Sequence, residues 1–120
     1  MPVDPTGADL KRFLEEDLEG EFVMLNLLRF AADGRTSYDQ YAAAIQPFLA
    51  KVGGRVIYAG DCSTSLVPAG GSGWDAILLV AYPSRQAFSA MVADPDYQTV
   101  THLRTEALEE AVLQATTPWT

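Results

Sequence analysis

Few side chains in this sequence could do chemistry, and Arg104 stands out among them. The apolar face of its predicted helix is set by Tyr97, Val100, Leu103, Ala107 and Leu108. Arg104 falls within that face, where a guanidinium is costly to bury unless an anion meets it. Two interpretations stay open. Arg104 binds the carboxylate or enolate of a small ligand, or it forms an internal ion pair with Asp75, Glu106 or a cluster of backbone carbonyls, its stem lying on apolar surface.

Polar side chains also interrupt the apolar segment 22–30, at Asn26 and Arg29. Their opposite parity along a strand places them on opposite faces of a sheet. A buried Asn26 amide must find partners, so it orients a ligand or bridges to a neighbouring strand or a dimer mate. Arg29, near the end of the segment, suits an interface or surface ion pair. Tyr38 and Tyr41 share the inner face of the next predicted helix, where they line a pocket mouth or belong to the core with their hydroxyls in water.

Other reactive residue types offer less. His102 is the only histidine, and the helical wheel places it opposite the apolar face, so we predict a surface residue rather than a general base. The single cysteine, Cys62, excludes an internal disulfide framework and has no base beside it in sequence. One histidine and one cysteine disfavour a protein-built zinc or iron site. Gly70, Gly71 and Gly73 lack the strand-to-helix context of a phosphate loop. We predict neither a metal nor a cofactor.

Composition narrows the partners. The chain has 120 residues, enough for one domain, with 48% hydrophobic and 20% charged residues. Its net charge is −8, and its basic residues are scattered, which argues against nucleic acid and anionic membranes as partners. No apolar run approaches the ~20 residues that span a bilayer. The N-terminus lacks the pattern of a secretory signal, so we expect a cytoplasmic protein.

The elements that must position these residues can be read from periodicity and turn signals. Thr6 and Asp9 have the spacing of a capping box, and the short amphipathic helix that follows is closed by Gly20. We treat residues 1–20 as an N-terminal helical extension and residues 21–120 as one ferredoxin-like domain. Its predicted strands are residues 22–30, 55–60, 74–82 and 111–116. Its predicted helices follow Ser37, with a kink at Pro47, then follow Ser84, and then span about residues 96–110.

This order, a helix and then βαββαβ, predicts an α+β fold with a four-stranded antiparallel sheet and its two main helices on one face. The central strands are apolar on both faces: in 22–30, for instance, Met24 and Leu28 oppose Leu25 and Leu27. Helices on one side leave the other apolar face uncovered, which is unusual for a monomer. The sequence therefore predicts a homodimer that packs sheet on sheet. The competing interpretation is that the N-terminal helix covers this face.

A series of short motifs along the chain resembles a known family. The residues of these motifs are Tyr38, Tyr41, Lys51, Gly53, Gly54, Arg55, Gly60, Trp74, Tyr82, Pro83, Ser84, Asp94, Tyr97 and Arg104. In this order, over about residues 22–116, they are similar to Domain of Unknown Function 1330, a family of the dimeric α/β-barrel superfamily. The resemblance implies a ferredoxin-like fold and a dimer whose two sheets face each other as a barrel. It implies no settled activity.

The superfamily also contains haem-degrading monooxygenases, which use a strand-one asparagine, a tryptophan ending strand three and a helix histidine. Asn26 matches the first, but Tyr82 holds the tryptophan position, because Trp74 begins the predicted strand, and His102 is shifted outward. This comparison argues against haem.

Cofactor-free monooxygenases and isomerases of the same superfamily remain open by analogy. We therefore expect a small-molecule-binding homodimer, either a cofactor-independent enzyme on a small carboxylated or aromatic metabolite or a binding or structural accessory module without turnover. The candidate ligand-binding residues are Arg104, Asn26, Tyr41, Tyr38, Arg29 and Trp74. A structural module predicts that side chains such as Phe48 and Met91 fill the pocket.

Overall fold

A computed structural model of the chain describes residues 3–16, 18–68 and 73–119. Their helices are α1 (Gly7–Glu15), α2 (Gly34–Val52), α3 (Arg85–Ala93), α4 (Pro95–Gln98) and α5 (Thr101–Ala107). Their strands are β1 (Phe22–Phe30), β2 (Arg55–Asp61), β3 (Ala76–Tyr82) and β4 (Leu108–Thr116). The strands form one antiparallel sheet in the order β2-β3-β1-β4, with β1 and β3 at the centre. The predicted α+β, ferredoxin-like topology is confirmed. No helix in these ranges combines the length and the apolar character that crossing a bilayer requires.

The first helix begins as predicted but ends early. The Thr6 hydroxyl accepts the Asp9 backbone N–H, and the Asp9 carboxylate accepts the Thr6 backbone N–H, which completes the capping box. α1 then stops at Glu15, so the prediction that it runs to Gly20 is wrong. Leu18 follows the helix and is 48% exposed, so its burial adds little to the stability of a further turn.

The second helix begins one turn earlier than expected, at Gly34 rather than after Ser37. Ser37 is not a cap, because its hydroxyl donates to the Leu103 carbonyl at 2.8 Å and so ties α2 to α5. Gly34 is required where α2 passes the end of α5, since a Cβ there would lie 2.1 Å from the Ala107 carbonyl oxygen. The helix includes Pro47.

The C-terminal half departs most from expectation. The predicted continuous helix over 96–110 is instead two short helices, α4 and α5, and the last strand begins at Leu108 rather than at residue 111. Strand pairing decides this, because Leu108 pairs with Phe30 and Glu110 pairs with Arg29 across β1. Residues 108–110 therefore form a strand despite their helical pattern, because the edge of β1 needs a hydrogen-bonded partner.

The third strand also begins later than predicted, at Ala76, so Trp74 precedes the strand instead of starting it. The connection is still anchored to the sheet, since the backbone N–H of Asp75 donates to the Leu28 carbonyl at 2.8 Å.

The helices in the described ranges all pack on one face of the sheet. On β1 this face presents the buried residues Phe22, Met24, Asn26 and Leu28. α1 lies on the same side, because the Phe13 ring packs edge-on against Phe22 and Phe88 at 5.3 and 5.6 Å between centroids. The interpretation that the N-terminal helix covers the second face is therefore wrong. That second face presents Val23, Leu25 and Leu27 of β1, which are half-buried.

Candidate functional site

A cavity of about 260 Å³ lies between the sheet and the helices. Its walls are mostly apolar, with Met24, Leu78 and Met91 among them. Its buried polar side chains are Asn26, Tyr38, Tyr41, Tyr82, Tyr97 and Arg104. Residues 4 and 5 of the N-terminal extension form another part of the wall. The structure thus brings four of the six predicted ligand-binding residues to one cavity: Asn26, Tyr38, Tyr41 and Arg104.

Arg104 is the one positively charged side chain among the described residues of this wall and is only 6% exposed. Its Nη1 donates to Asp4 Oδ1 at 2.9 Å and also to the Val3 carbonyl oxygen. Its Nη2 is buried and has no hydrogen-bond partner in the part of the chain that the structure describes. An ion pair therefore exists, but Asp75 and Glu106 were the wrong partners to predict. Asp75 instead accepts the backbone N–H of Phe30 at 2.8 Å, and Glu106 is exposed.

Four tyrosines surround the same space. The hydroxyls of Tyr41 and Tyr97 are hydrogen-bonded at 2.9 Å, and the ring of Tyr38 lies 5.6 Å from that of Tyr41. Burial raises the pKa of Tyr38, Tyr41, Tyr82 and Tyr97 above the ordinary tyrosine value, and the positive charge of Arg104 opposes this rise only in part. These phenols therefore stay neutral at physiological pH and can donate hydrogen bonds.

Asn26 supplies an acceptor from the middle of β1. Its side chain is buried, and its amide nitrogen donates to the Met24 carbonyl at 3.3 Å. Its Oδ1 is a hydrogen-bond acceptor, and the residue lines the cavity. The cavity therefore combines a cation, neutral phenol donors and an amide oxygen within an apolar enclosure. Such groups can bind an anion or stabilise negative charge that develops on an oxygen, because electrostatic interactions strengthen where water is excluded.

The structure places the other two candidates, Arg29 and Trp74, outside this cavity. Arg29 forms an ion pair with Glu110 on the paired strand β4, and its guanidinium carbon lies 4.7 Å from the centroid of the Trp74 ring. By parity this cluster belongs to the sheet face opposite Asn26. A surface or interface ion pair was one expectation for Arg29, and the geometry agrees with it.

The other reactive residues also lie away from the cavity wall. His102 and Cys62 are both exposed. Gly73 has a positive φ of 85°, whereas Gly70 and Gly71 lie outside the described residues. Within those ranges no group of three or more His, Cys, Asp or Glu side chains could hold a metal ion.

Sequence reasoning missed Tyr97, Tyr82 and Asp4 as cavity residues. Tyr97 carried a signal, since it lies on the apolar face of its predicted helix together with Arg104. Asp4 carried none, because it precedes Arg104 by 100 residues and only the tertiary structure brings the two together.

Solved structures share this architecture. RPA0582, a protein of unknown function from Rhodopseudomonas palustris, is 30% identical over 98% of this chain and 97% of its own, with a TM-score of 0.89. A hydroxynitrile lyase from Passiflora edulis is 13% identical over 86% of this chain and 98% of its own, with a TM-score of 0.65. A dimeric ferredoxin-like protein of unknown function from Thermobifida fusca is 15% identical over 83% of this chain and 92% of its own, with a TM-score of 0.55. The latter two establish similarity of fold alone.

No functionally curated protein matches the chain. The sequence model of a family described as a domain of unknown function, DUF1330, matches residues 26–116. This range begins within β1, contains the rest of the βαββαβ unit, and includes all the buried polar residues described for the cavity wall. The family suggested by the motifs is thus confirmed, and the chain belongs to the DUF1330 family.

Proposed function

We propose that this chain is a homodimeric protein that binds a small carboxylated or aromatic metabolite in the cavity between its sheet and helices. The observation that carries the proposal is the Nη2 of Arg104. A buried donor without an acceptor is rare in folded proteins and costs about 1–3 kcal/mol. The cost is explained if a ligand supplies the acceptor.

The cavity also selects by size and polarity. Its volume of about 260 Å³ lies below the roughly 300–1,000 Å³ of sites for drug-sized ligands, so it suits a compact molecule. In this proposal Arg104 holds the negative charge, Asn26 orients the ligand through its amide oxygen, and Tyr38 and Tyr41 contact its body. Aromatic rings surround this space, because Tyr38, Tyr41, Tyr82, Phe88 and Tyr97 all line it.

The catalytic form of the proposal is a cofactor-independent enzyme of the monooxygenase or isomerase kind. Arg104 and the neutral phenols would stabilise an enolate or another developing oxyanion. The fold is shared with the Passiflora hydroxynitrile lyase, which supports only that such a scaffold can hold a catalytic site.

Two alternatives lack turnover. A binding module would retain its ligand unchanged. A structural accessory module predicts a pocket filled by Phe48 and Met91, but the cavity remains open beside Met91, and Phe48 packs against the Tyr97 ring at 5.9 Å. The open cavity favours a ligand over the structural module.

The proposed dimer rests on the second face of the sheet. Leu25 pairs with Leu79, and Leu27 pairs with Ile77, so apolar side chains are adjacent across the two central strands. All are half-buried, and no described helix lies on their side. Packing this face against the same face of a second copy would remove it from water, which is the main gain in such interfaces.

Native mass spectrometry of the protein purified from cells tests the binding site and the dimer together. We expect a dimer mass with a reproducible small-molecule adduct. Arg104→Met should lose the adduct and keep the dimer. Arg85→Met is the matched control, since Arg85 is also buried, at 4% exposure, but bonds the Phe13 carbonyl and Glu16 outside the cavity.

If the adduct is still present in Arg104→Met, Arg104 is not part of the binding site. The absence of any adduct contradicts the retained ligand, and a monomer mass contradicts the proposed interface. Incubation of the complex with buffer, followed by analysis of the released compound, separates the two remaining possibilities, because only an enzyme changes the compound over time.

A further inference from the structure

We infer that Arg104 and Thr105 form a carboxylate site that Asp4 occupies in the absence of ligand, and that a monocarboxylate ligand binds by displacing Asp4. The inference rests on the proposed function, since it concerns the same cavity. It adds the class of ligand, the residue that receives its charged group, and a role for the N-terminal segment.

Both carboxylate oxygens of Asp4 are held by separate donors. Oδ1 accepts from Arg104 Nη1 at 2.9 Å, and Oδ2 accepts from the Thr105 hydroxyl at 2.7 Å. The Val3 carbonyl next to it accepts a further hydrogen bond from the same Nη1. A guanidinium and a hydroxyl that grip the two oxygens of one carboxylate form a site that any free carboxylate of similar reach can use.

Asp4 is less deeply buried than Arg104, which binds its carboxylate. The side chain of Asp4 is 45% exposed, whereas that of Arg104 is 7% exposed. Asp4 and Pro5 also form part of the cavity wall, so their displacement would enlarge the opening to the cavity. Thr105 keeps an acceptor when Asp4 leaves, because its hydroxyl lies 3.2 Å from the Thr101 carbonyl.

The exchange improves the bonding of Arg104. Asp4 engages only Nη1 and leaves Nη2 buried without a partner in the described ranges. A free carboxylate can contact Nη1 and Nη2 together, the bidentate geometry that arginine favours. The ligand therefore satisfies a donor that the intramolecular carboxylate leaves unsatisfied.

Charge balance selects a monocarboxylate. When a monoanion replaces the Asp4 carboxylate, the charge beside Arg104 is unchanged. A dianion would place a second negative charge among apolar walls and neutral phenols, where its desolvation is not compensated. The rest of the extension has its own anchor, because the Phe13 carbonyl and ring both contact the buried Arg85. Of the described residues, only 3–6 have to move.

Isothermal titration calorimetry with benzoate tests the inference, with benzamide as the uncharged counterpart. If Asp4 occupies the site for about nine-tenths of the time, its removal raises the apparent affinity about tenfold. We therefore expect Asp4→Ala to bind benzoate about tenfold more tightly than the unmodified protein, and benzamide to show no comparable gain. Glu16→Ala is the matched control, since Glu16 pairs with the other buried arginine outside the cavity. It should leave benzoate affinity unchanged.

Three results overturn the inference. The first is a benzoate affinity that is unchanged or weaker in Asp4→Ala. The second is an equal gain of benzoate affinity in Glu16→Ala, which would indicate general loosening of the extension. The third is that benzoate binds neither the unmodified protein nor Asp4→Ala. Native mass spectrometry distinguishes this failure from failure of the proposed function. If an adduct is present and lost in Arg104→Met, the ligand site stands and only the role of Asp4 is refuted.

Discussion

Two buried arginines connect the N-terminal extension to the domain, and their removal should have unequal effects on stability. Arg85 and Arg104 are exposed to similar extents, 4% and 6%. Arg85 bonds the Phe13 carbonyl and Glu16, while Arg104 bonds the Val3 carbonyl and Asp4. Arg104 alone has an unsatisfied buried donor among the described residues. Replacing each with methionine, which is of comparable length and uncharged, separates a structural arginine from one kept for a ligand.

The loss of stability expected for Arg85→Met is the sum of the free-energy contributions of the contacts that Arg85 makes. A charge-assisted hydrogen bond to the Phe13 carbonyl, at 2.8 Å, contributes about 1.5–3 kcal/mol. The guanidinium lies 4.5 Å from the centroid of the Phe13 ring, which adds about 0.5–2 kcal/mol. The side chain of Glu16 is 60% exposed, so its ion pair adds little. Arg85→Met should therefore lower the free energy of unfolding by about 3 kcal/mol.

Arg104→Met loses similar hydrogen bonds but gains an offset. Its bonds to Val3 and the half-exposed Asp4 contribute about 2–3 kcal/mol together. The same substitution removes the buried, unsatisfied Nη2, which relieves about 1–3 kcal/mol. The net loss is about 1 kcal/mol or less, roughly 2 kcal/mol smaller than for Arg85→Met. Residues kept for ligand binding commonly have this property of adding little to stability.

Thermal unfolding followed by circular dichroism measures the difference. At about 4 °C per kcal/mol for a chain of this size, Arg85→Met should melt about 8 °C below Arg104→Met. The protein concentration has to be the same in both experiments, because the melting temperature of a dimer depends on it. If Arg104→Met melts at or below Arg85→Met, then Nη2 is not an uncompensated group, and the argument for an anionic ligand at Arg104 loses its basis.

Three further predictions concern the interface, the close approach at α2, and the tyrosines. Leu25→Asp should convert the proposed dimer to a monomer in light scattering after size-exclusion chromatography, because it places a charge on the second sheet face. Leu18→Asp, on the exposed segment after α1, should not, and a dimer in both variants would refute the interface. Gly34→Ala should lower the free energy of unfolding, measured in urea, by about 2 kcal/mol or more, since the alanine Cβ would overlap the Ala107 carbonyl. Gly7→Ala, where a Cβ meets nothing within 4 Å, should not, and equal stability of the two variants would contradict the packing of α2. Burial raises the pKa of the four buried tyrosines, so their contribution to stability is complete below about pH 10 and declines as the pH rises above that value. Absorbance at 295 nm should show these tyrosines ionising only as the protein unfolds, and their ionisation near pH 10 in the folded protein would contradict the prediction.

Local patterns predicted the order of the strands and main helices, and the starts of two helices. The capping box at Thr6 and the hydroxyl cap at Ser84 were both recognisable, because a cap depends on residues within one turn of each other. The two apolar faces of β1 were also visible, because side chains alternate along a strand whatever its partners are. The burial of Arg104 followed in the same way from the period of a helix.

Predictions failed where a local pattern competed with distant contacts. The segment 108–110 continues a helical pattern but pairs with β1, because hydrogen bonding along that strand outweighs helix propensity. Ser37 has the spacing of a cap but bonds the Leu103 carbonyl of another helix. The N-terminal helix could have covered either face of the sheet, and the contact of Phe13 with Phe22 and Phe88 decides which.

The sequence by itself therefore determined that Arg104 and two tyrosines would lie on the inner faces of their helices, and that Asn26 and Arg29 would point to opposite faces of the sheet. Only the tertiary structure decided that they meet around one cavity, that Tyr97 bonds Tyr41, and that Asp4 rather than Asp75 or Glu106 pairs with Arg104. The physical reason is range. Periodicity records which side of an element is buried, whereas the partner of a buried charge depends on which distant segment the fold brings within hydrogen-bonding distance.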